Sequence, residues 1–351
     1  MTENKQTKSN LFISINEAIH SLPYDVIFLA DGVYDLTKYS SNKQIKKLLN
    51  ALALVIHFAK VGIIIFQKRN LKAIVLYGFS TEFLWITYLC SIFNSRNVYL
   101  IVHHNIQQAS QHKLMRWLMK LYYKLGYNFI VHETLLPLKD IGFCDKELSR
   151  YCALLHPINP VISQPNQNSS IDMLLSSDDR IKIGVVGNIR KGKSFHQTVK
   201  ILSALKEELN FSLIIGTNDV SQFSYEDAII IDTSTYDNYI LTLLLCDIIV
   251  LNYEESEYFF RCSGVAADAI GAKCYIVCSD FPLMSYQISY PKQIGTTYKD
   301  TLDIKIALKA TIALGKPSEN KLFEDHYIER STEKIASVLD AFIRKQSIEP
   351  I

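Results

Sequence analysis

The stretch IKIGVVGNIRKGKSF, residues 181–195, decides how this chain reads. Its Ile and Val residues suit a strand covered on both faces, and the strand ends at Gly187. Arg190 and Lys193 follow, and then a helix is predicted over about 195–209. A glycine at a strand end lets the backbone approach an anion. Two cations beside a helix N-terminus can then neutralise a diphosphate. Lys191 falls between them and is read as pointing elsewhere on the turn. A surface turn with solvated cations has the same look, so the neighbouring segments have to decide.

Working outward, the alternation continues. Strands are predicted at 211–217, 228–234, 247–253 and 274–280, with helices at 236–246 and 264–272. Upstream, strands at 25–32, 73–80, 98–105 and 129–133 are separated by helices at 42–60, 81–93 and 112–125. Repeated strand–helix alternation is the mark of a parallel α/β fold. Residues 161–180 are rich in Pro, Asn, Ser and Gln and read as a linker. The expected organisation is a domain over 1–160, a second over 181–320, and a helical tail, 321–351, packing back on the first.

The composition narrows the class. Hydrophobic residues make up 48% of the 351, enough for sizeable cores and against disorder. Lys and Arg number 37 against 35 Asp and Glu, so no global basic field points to nucleic acid. Seven cysteines without a C-x-x-C pair suit reduced thiols in a cytoplasmic protein. The polar start MTENKQTKSN has no apolar core of the kind a secretory signal needs. Residues 48–66 are nearly long and apolar enough to span a bilayer. Asn50, His57 and Lys60 interrupt them, and basic residues flank both ends, so the segment is read as a buried or interface-lying helix.

A second half-site lies at 263–268, SGVAAD. Ser263 can cap the helix, Gly264 allows close approach to its N-terminus, and Asp268 sits one turn along, where a carboxylate can accept from ribose hydroxyls. Taken alone, a capping serine and a solvated aspartate explain it equally well. Together, strand-G-x-x-R-x-x-K followed by S-G-x-x-x-D-A resembles the GT-B glycosyltransferases, particularly the family-4-like group of bacterial surface-glycan type. The resemblance covers most of the chain and is strongest over 181–280.

The resemblance implies an α/β chain of two Rossmann-like domains facing across a cleft, with a nucleotide diphospho-sugar held mainly by the second. It implies that Gly187, Arg190, Lys193, Ser263 and Gly264 meet the diphosphate and that Asp268 meets the ribose. The family's two glutamates, E-x7-E, map onto Phe260 and Asp268, so the donor-sugar contact and the anomeric outcome stay open. His103 and His104, in VHHN at a strand end, are the catalytic candidates, since an imidazole can orient a hydroxyl or take its proton. A strand-end pair bonded to loops is the alternative. Asn105, His132, Glu133 and Asp31, also at strand ends, are placed on the acceptor side. No D-x-D stands at a strand end and no His or Cys spacing fits zinc, so neither metal nor cofactor is expected.

The segment HKLMRWLMKLYYKLGY, 112–127, is amphipathic. Lys113, Arg116, Lys120 and Lys124 run beside a face carrying Trp117, which suits an anionic membrane surface as well as a core helix with a basic edge. The expected protein is a glycosyltransferase acting on a glycan or lipid-linked glycan, cytoplasmic and peripheral on the inner face of the cell membrane. A non-catalytic GT-B subunit and a nucleotide-sugar epimerase of the same fold are the rivals.

Overall fold

The computed structural model describes residues 17–23, 25–29, 43–77, 79–102, 104–158, 179–225, 228–317 and 321–348. They divide into two units, one within Leu155–Ile335 and the other within Asn16–Leu154 together with Ala336–Ile351. Each is an α/β layer structure around a parallel sheet. The predicted linker lies almost wholly outside the described residues, which resume at Asp179.

The sheet of the first half runs in chain order: β1 (Val26–Leu29), β2 (Ala73–Tyr77), β3 (Val98–Val102), β4 (Asn128–His132) and β5 (Tyr151–Leu154). All neighbours pair in parallel. The strand β5 was not predicted, because YCAL is short and starts with a tyrosine. Tertiary packing makes it a strand: the Tyr151 ring stacks on Phe129 of β4 at 4.5 Å. The predicted helix at 42–60 runs on to Gln67, through Gly62, which packs closely against the Thr87 backbone instead of ending the helix. Near the carboxyl ends of β2 and β3 the loops are tied together. The Asn105 amide donates to the Phe79 carbonyl at 3.2 Å and to the Thr81 hydroxyl at 2.8 Å. The Tyr122 hydroxyl donates to the Thr81 carbonyl at 2.7 Å.

The other sheet has the order β11-β10-β9-β6-β7-β8, with β6 (Ile181–Val186), β7 (Phe211–Thr217), β8 (Ala228–Asp232), β9 (Ile248–Leu251), β10 (Tyr275–Ser279) and β11 (Gly295–Tyr298). Its central strands are buried Ile and Val runs, as a sheet covered by helices on both faces requires. The strand order reverses between β6 and β9. Crossovers leave to opposite faces there, opening a crevice outside the carboxyl ends of those two strands. The segment after β6, residues 187–194, leads straight into that crevice.

The C-terminal helical pattern breaks once. Helices Leu322–Glu329 and Thr332–Ile348 flank Arg330, which is fully buried. Its guanidinium donates to the carbonyls of His156 at 3.3 Å, Gln287 at 3.0 Å and Tyr290 at 3.2 Å. Phe342 meets Tyr99 of β3 edge-on at 5.7 Å.

Candidate functional site

Gly187 ends β6 with φ +129°, a conformation that side chains rarely adopt. A Cβ there would lie 3.0 Å from the Lys193 ammonium and 3.6 Å from Val265. The two half-sites, 78 residues apart as Gly187 and Val265, are therefore adjacent in space. An isolated antiparallel bridge between Lys193 and Tyr253 joins the basic turn to the segment after β9.

Lys193 is half-buried, and its ammonium lies 5.7 Å from the Tyr253 ring centroid. Among the described residues it makes no ion pair and no side-chain hydrogen bond. Burial, and secondarily the nearby Arg190 charge, push its pKa down to about 8. The Arg190 guanidinium donates to the Tyr258 hydroxyl at 2.6 Å. Tyr258 in turn stacks on Tyr253 with centroids 4.1 Å apart, and the Arg261 guanidinium lies over its ring at 4.9 Å. Lys191 turns away to pair with Glu257 at 2.7 Å, with 85% of its side chain exposed. The half-buried Lys193 and the exposed Arg190, neither with a carboxylate partner among the described residues, thus flank one strand end. Desolvation makes the position of Lys193 costly unless an anion arrives.

Ser263 caps the helix Gly264–Gly271, its hydroxyl accepting from the Ala266 N–H at 3.2 Å and lying 3.0 Å from the Tyr253 hydroxyl. The Gln287 amide holds the Ser263 backbone on both sides, accepting from its N–H at 3.0 Å and donating to its carbonyl at 2.9 Å. A Cβ on Gly264 would meet nothing within 4 Å, so the first helical residue faces open space. Asp268 is half-buried one turn along, and its carboxylate accepts from the Tyr239 hydroxyl at 2.8 Å. Burial, reinforced by that carboxylate, raises the Tyr239 pKa well above its ordinary value, so the phenol remains the donor. The N-terminus of this helix carries partial positive charge, and the two cations add to it. The whole arrangement is a candidate anion cradle with a carboxylate at its far end.

No protein-family model and no curated protein sequence matches the chain. Solved structures do. A glycosyltransferase from Rickettsia africae ESF-5 superposes with a TM-score of 0.63 at 14% identity, over 96% of this chain and 95% of its own. An α,α-trehalose-phosphate synthase (UDP-forming) from Burkholderia vietnamiensis gives 0.58 at 9% identity, over 88% and 80%. A putative UDP-N-acetylglucosamine 2-epimerase from Listeria monocytogenes gives 0.54 at 10% identity, over 96% and 93%. The fold is GT-B.

Within this GT-B chain the remaining sequence-derived residues separate. His103 and Asp31 lie outside the described residues. His104 is exposed at the start of the helix Asn105–Gln111. Asn105 is buried and holds the 79–81 turn. His132 and Glu133 are both buried at the end of β4, and Glu133 has φ +68°, in the left-handed region that glycine favours. Phe260, at the first position of the family's glutamate pair, is buried. Glu254 and Glu255 are exposed, and Glu257 is engaged by Lys191.

The helix Lys113–Lys124 has half of its basic edge engaged by the protein. Arg116 donates to the carbonyls of Ala109 and Ser110, each at 3.0 Å, and Lys120 pairs with Glu147 at 3.3 Å. Lys113, Lys124 and Trp117 remain exposed.

Sequence reasoning missed Tyr239, Tyr253, Tyr258, Gln287 and Asn252. The Asn252 side chain is buried, and its amide nitrogen meets no acceptor among the described residues. A signal existed for two of them: NYEESEYFF places tyrosines among acids directly after a strand, where aromatic rings seldom stand without a partner.

Proposed function

We propose that this chain is a glycosyltransferase that takes a nucleotide diphospho-sugar as donor and transfers the sugar to a glycan or lipid-linked glycan. The observation that carries the reading is the half-buried Lys193 ammonium beside Arg190, without a carboxylate partner, at the topological switch point of a GT-B domain. The diphosphate would occupy the space between Gly187, Gly264 and the two cations. Asp268, steadied by Tyr239, would accept from the ribose hydroxyls. As the glycosidic bond to the donor breaks, negative charge gathers on the departing diphosphate. Arg190 and Lys193 would meet it there, in the way a metal does elsewhere, so the reaction is read as metal-independent.

On the acceptor side, the exposed His104 would orient or deprotonate a hydroxyl. His132 and Glu133, at the next strand end, would shape its surroundings. The structural likeness to a trehalose-phosphate synthase described as UDP-forming supports a uridine diphosphate donor.

The test is calorimetric titration of UDP and of UDP-sugars into wild type and Lys193→Ala. Wild type should bind, and the variant should lose affinity by the roughly 1.5–3 kcal/mol of one charge-assisted contact. Equal nucleotide affinity in Arg190→Ala and Lys193→Ala would remove the assignment. One specific observation favours a second reading. The buried Phe260 in place of a glutamate suits a GT-B subunit that binds a donor and supports a partner transferase. Transfer of radiolabelled sugar by the purified chain alone separates the two, and recovery of an epimerised nucleotide-sugar would identify the epimerase instead.

A further inference from the structure

The helix Lys43–Gln67 has two faces of opposite character. Inward, Ala53, Phe58, Val61, Gly62 and Ile65 are buried. A Cβ added to Gly62 would sit 2.7 Å from the Thr87 carbonyl oxygen of helix Leu84–Cys90, and the Thr87 hydroxyl donates to the Phe58 carbonyl at 3.0 Å. Helix and helix are thus in backbone contact, and the long helix is fastened into its unit along one side.

Outward, Ile45, Leu48, Leu52, Ile56 and Ile63 recur at steps of three, four, four and seven residues, which places them in one stripe. Every one of them is exposed, Leu48 to 70%. The adjoining helix adds Trp85 and Leu89, and the turn after it adds Phe93, exposed to 63%. Large apolar side chains exposed in this number on two adjoining helices mark an interaction site.

The charge around it states the partner. No Asp or Glu occurs between Asp35 and Glu82. Lys43, Lys46 and Lys47 stand exposed at one end of the helix, and Lys68, Arg69 and Lys72 just beyond the other. The chain as a whole carries only +2, so this is a local concentration. A second copy docked on the same face would set cations against cations with no carboxylate to relieve them. An anionic lipid surface supplies both what the apolar stripe and what the basic ends require. By length and composition the helix is also long enough to cross a membrane. Its close seat against Thr87 and the exposed Lys60 in mid-helix oppose that.

We propose that helix Lys43–Gln67, with the Trp85–Phe93 segment beside it, lies flat on an anionic bilayer. Its stripe sinks to the headgroup–acyl boundary, and its basic ends meet lipid phosphates. This moves the principal membrane contact from helix Lys113–Lys124, where the protein itself engages Arg116 and Lys120. The contact stands whether or not the donor reading holds; with it, the lipid surface is where a lipid-linked acceptor is presented.

Co-sedimentation with vesicles of equal parts phosphatidylcholine and phosphatidylglycerol tests it. Wild type should sediment with these and not with phosphatidylcholine alone. Lys43→Gln/Lys46→Gln/Lys47→Gln should weaken partition about a hundredfold, since each cation near an anionic surface contributes about fivefold. Leu48→Ser/Leu52→Ser/Ile56→Ser should abolish it, and Lys113→Gln/Lys124→Gln should weaken it far less. The far-ultraviolet circular dichroism of all three should match wild type, and carbonate at high pH should release bound wild type. The proposal fails if wild type stays in the supernatant, if the lysine triple variant sediments equally well, or if carbonate leaves the protein in the membrane. It also fails if light scattering shows a dimer that the serine variant converts to a monomer, because a second copy then covers the stripe. Nucleotide titration of the same samples reports separately on the donor site.

Discussion

Lys193 is the residue on which the proposed chemistry turns. Its pKa of about 8 means that the folded protein holds fewer protons than the unfolded chain between pH 8 and the ordinary lysine value of 10.5. Stability therefore rises with pH across that window, and at neutral pH folding bears the cost of a desolvated cation. A diphosphate reverses the balance by favouring the charged form. Nucleoside diphosphate affinity should be flat below pH 8 and fall by up to tenfold per pH unit above it, with proton uptake on binding. Titrations in buffers of different ionisation enthalpy measure this, and a flat profile up to pH 10 would show that the ammonium does not meet the ligand. Tyr258 is the second residue to test. Its hydroxyl holds Arg190 at 2.6 Å while its ring stays stacked on Tyr253. Tyr258→Phe should keep the stack and the melting temperature and weaken nucleotide binding by about fivefold, the value of one hydrogen bond of roughly 1 kcal/mol. If Arg190→Ala loses affinity and Tyr258→Phe does not, the phenol plays no part in placing the arginine.

At the scale of elements, the helix Gly264–Gly271 is held at its N-terminus from several sides. Ser263 caps it, Tyr253 touches that cap, and Gln287 grips the Ser263 backbone. Ser263→Ala should cost about 1–2 kcal/mol in denaturant unfolding, because it removes the cap and leaves the buried Tyr253 hydroxyl short of a partner. Ser263→Thr should restore most of it. Gln287→Leu should cost more than Ser263→Ala, since it strands a buried N–H and a buried carbonyl at once. The ordering of the two variants is the check. Gln287 also connects this helix to Arg330, whose guanidinium donates to the Gln287 carbonyl. The break at Arg330 in the C-terminal helical pattern is therefore part of what keeps the cradle in place.

At the scale of the whole molecule, the two units each carry their own sheet and core. The residues of the candidate cradle all belong to the unit within Leu155–Ile335. A nucleoside diphosphate at 100 times its Kd should add about 2.7 kcal/mol to whatever unfolds with the cradle. Differential scanning calorimetry should accordingly show two transitions, with UDP raising only one. A single transition that moves as a whole would mean that the units unfold together. A scan that UDP leaves unchanged would remove the donor site.

The sequence by itself determined the α/β class, because buried strands and amphipathic helices differ in period and no ligand or partner is needed to set either. It also marked Gly187 as a strand end and Ser263 as a helix cap, through local backbone needs. Two strands escaped it: YCAL and GTTY are too short to show alternation and exist through their neighbours. Tertiary structure alone decided that Gly187 and Val265 meet, that Lys191 goes to Glu257 while Lys193 meets no carboxylate among the described residues, and that tyrosines hold Arg190 and the Asp268 carboxylate. It decided too that the face of helix Lys43–Gln67 carrying Ile45, Leu48 and Leu52 looks outward. An apolar run has no inside or outside in one dimension; only the close approach at Gly62 fixes which side is covered.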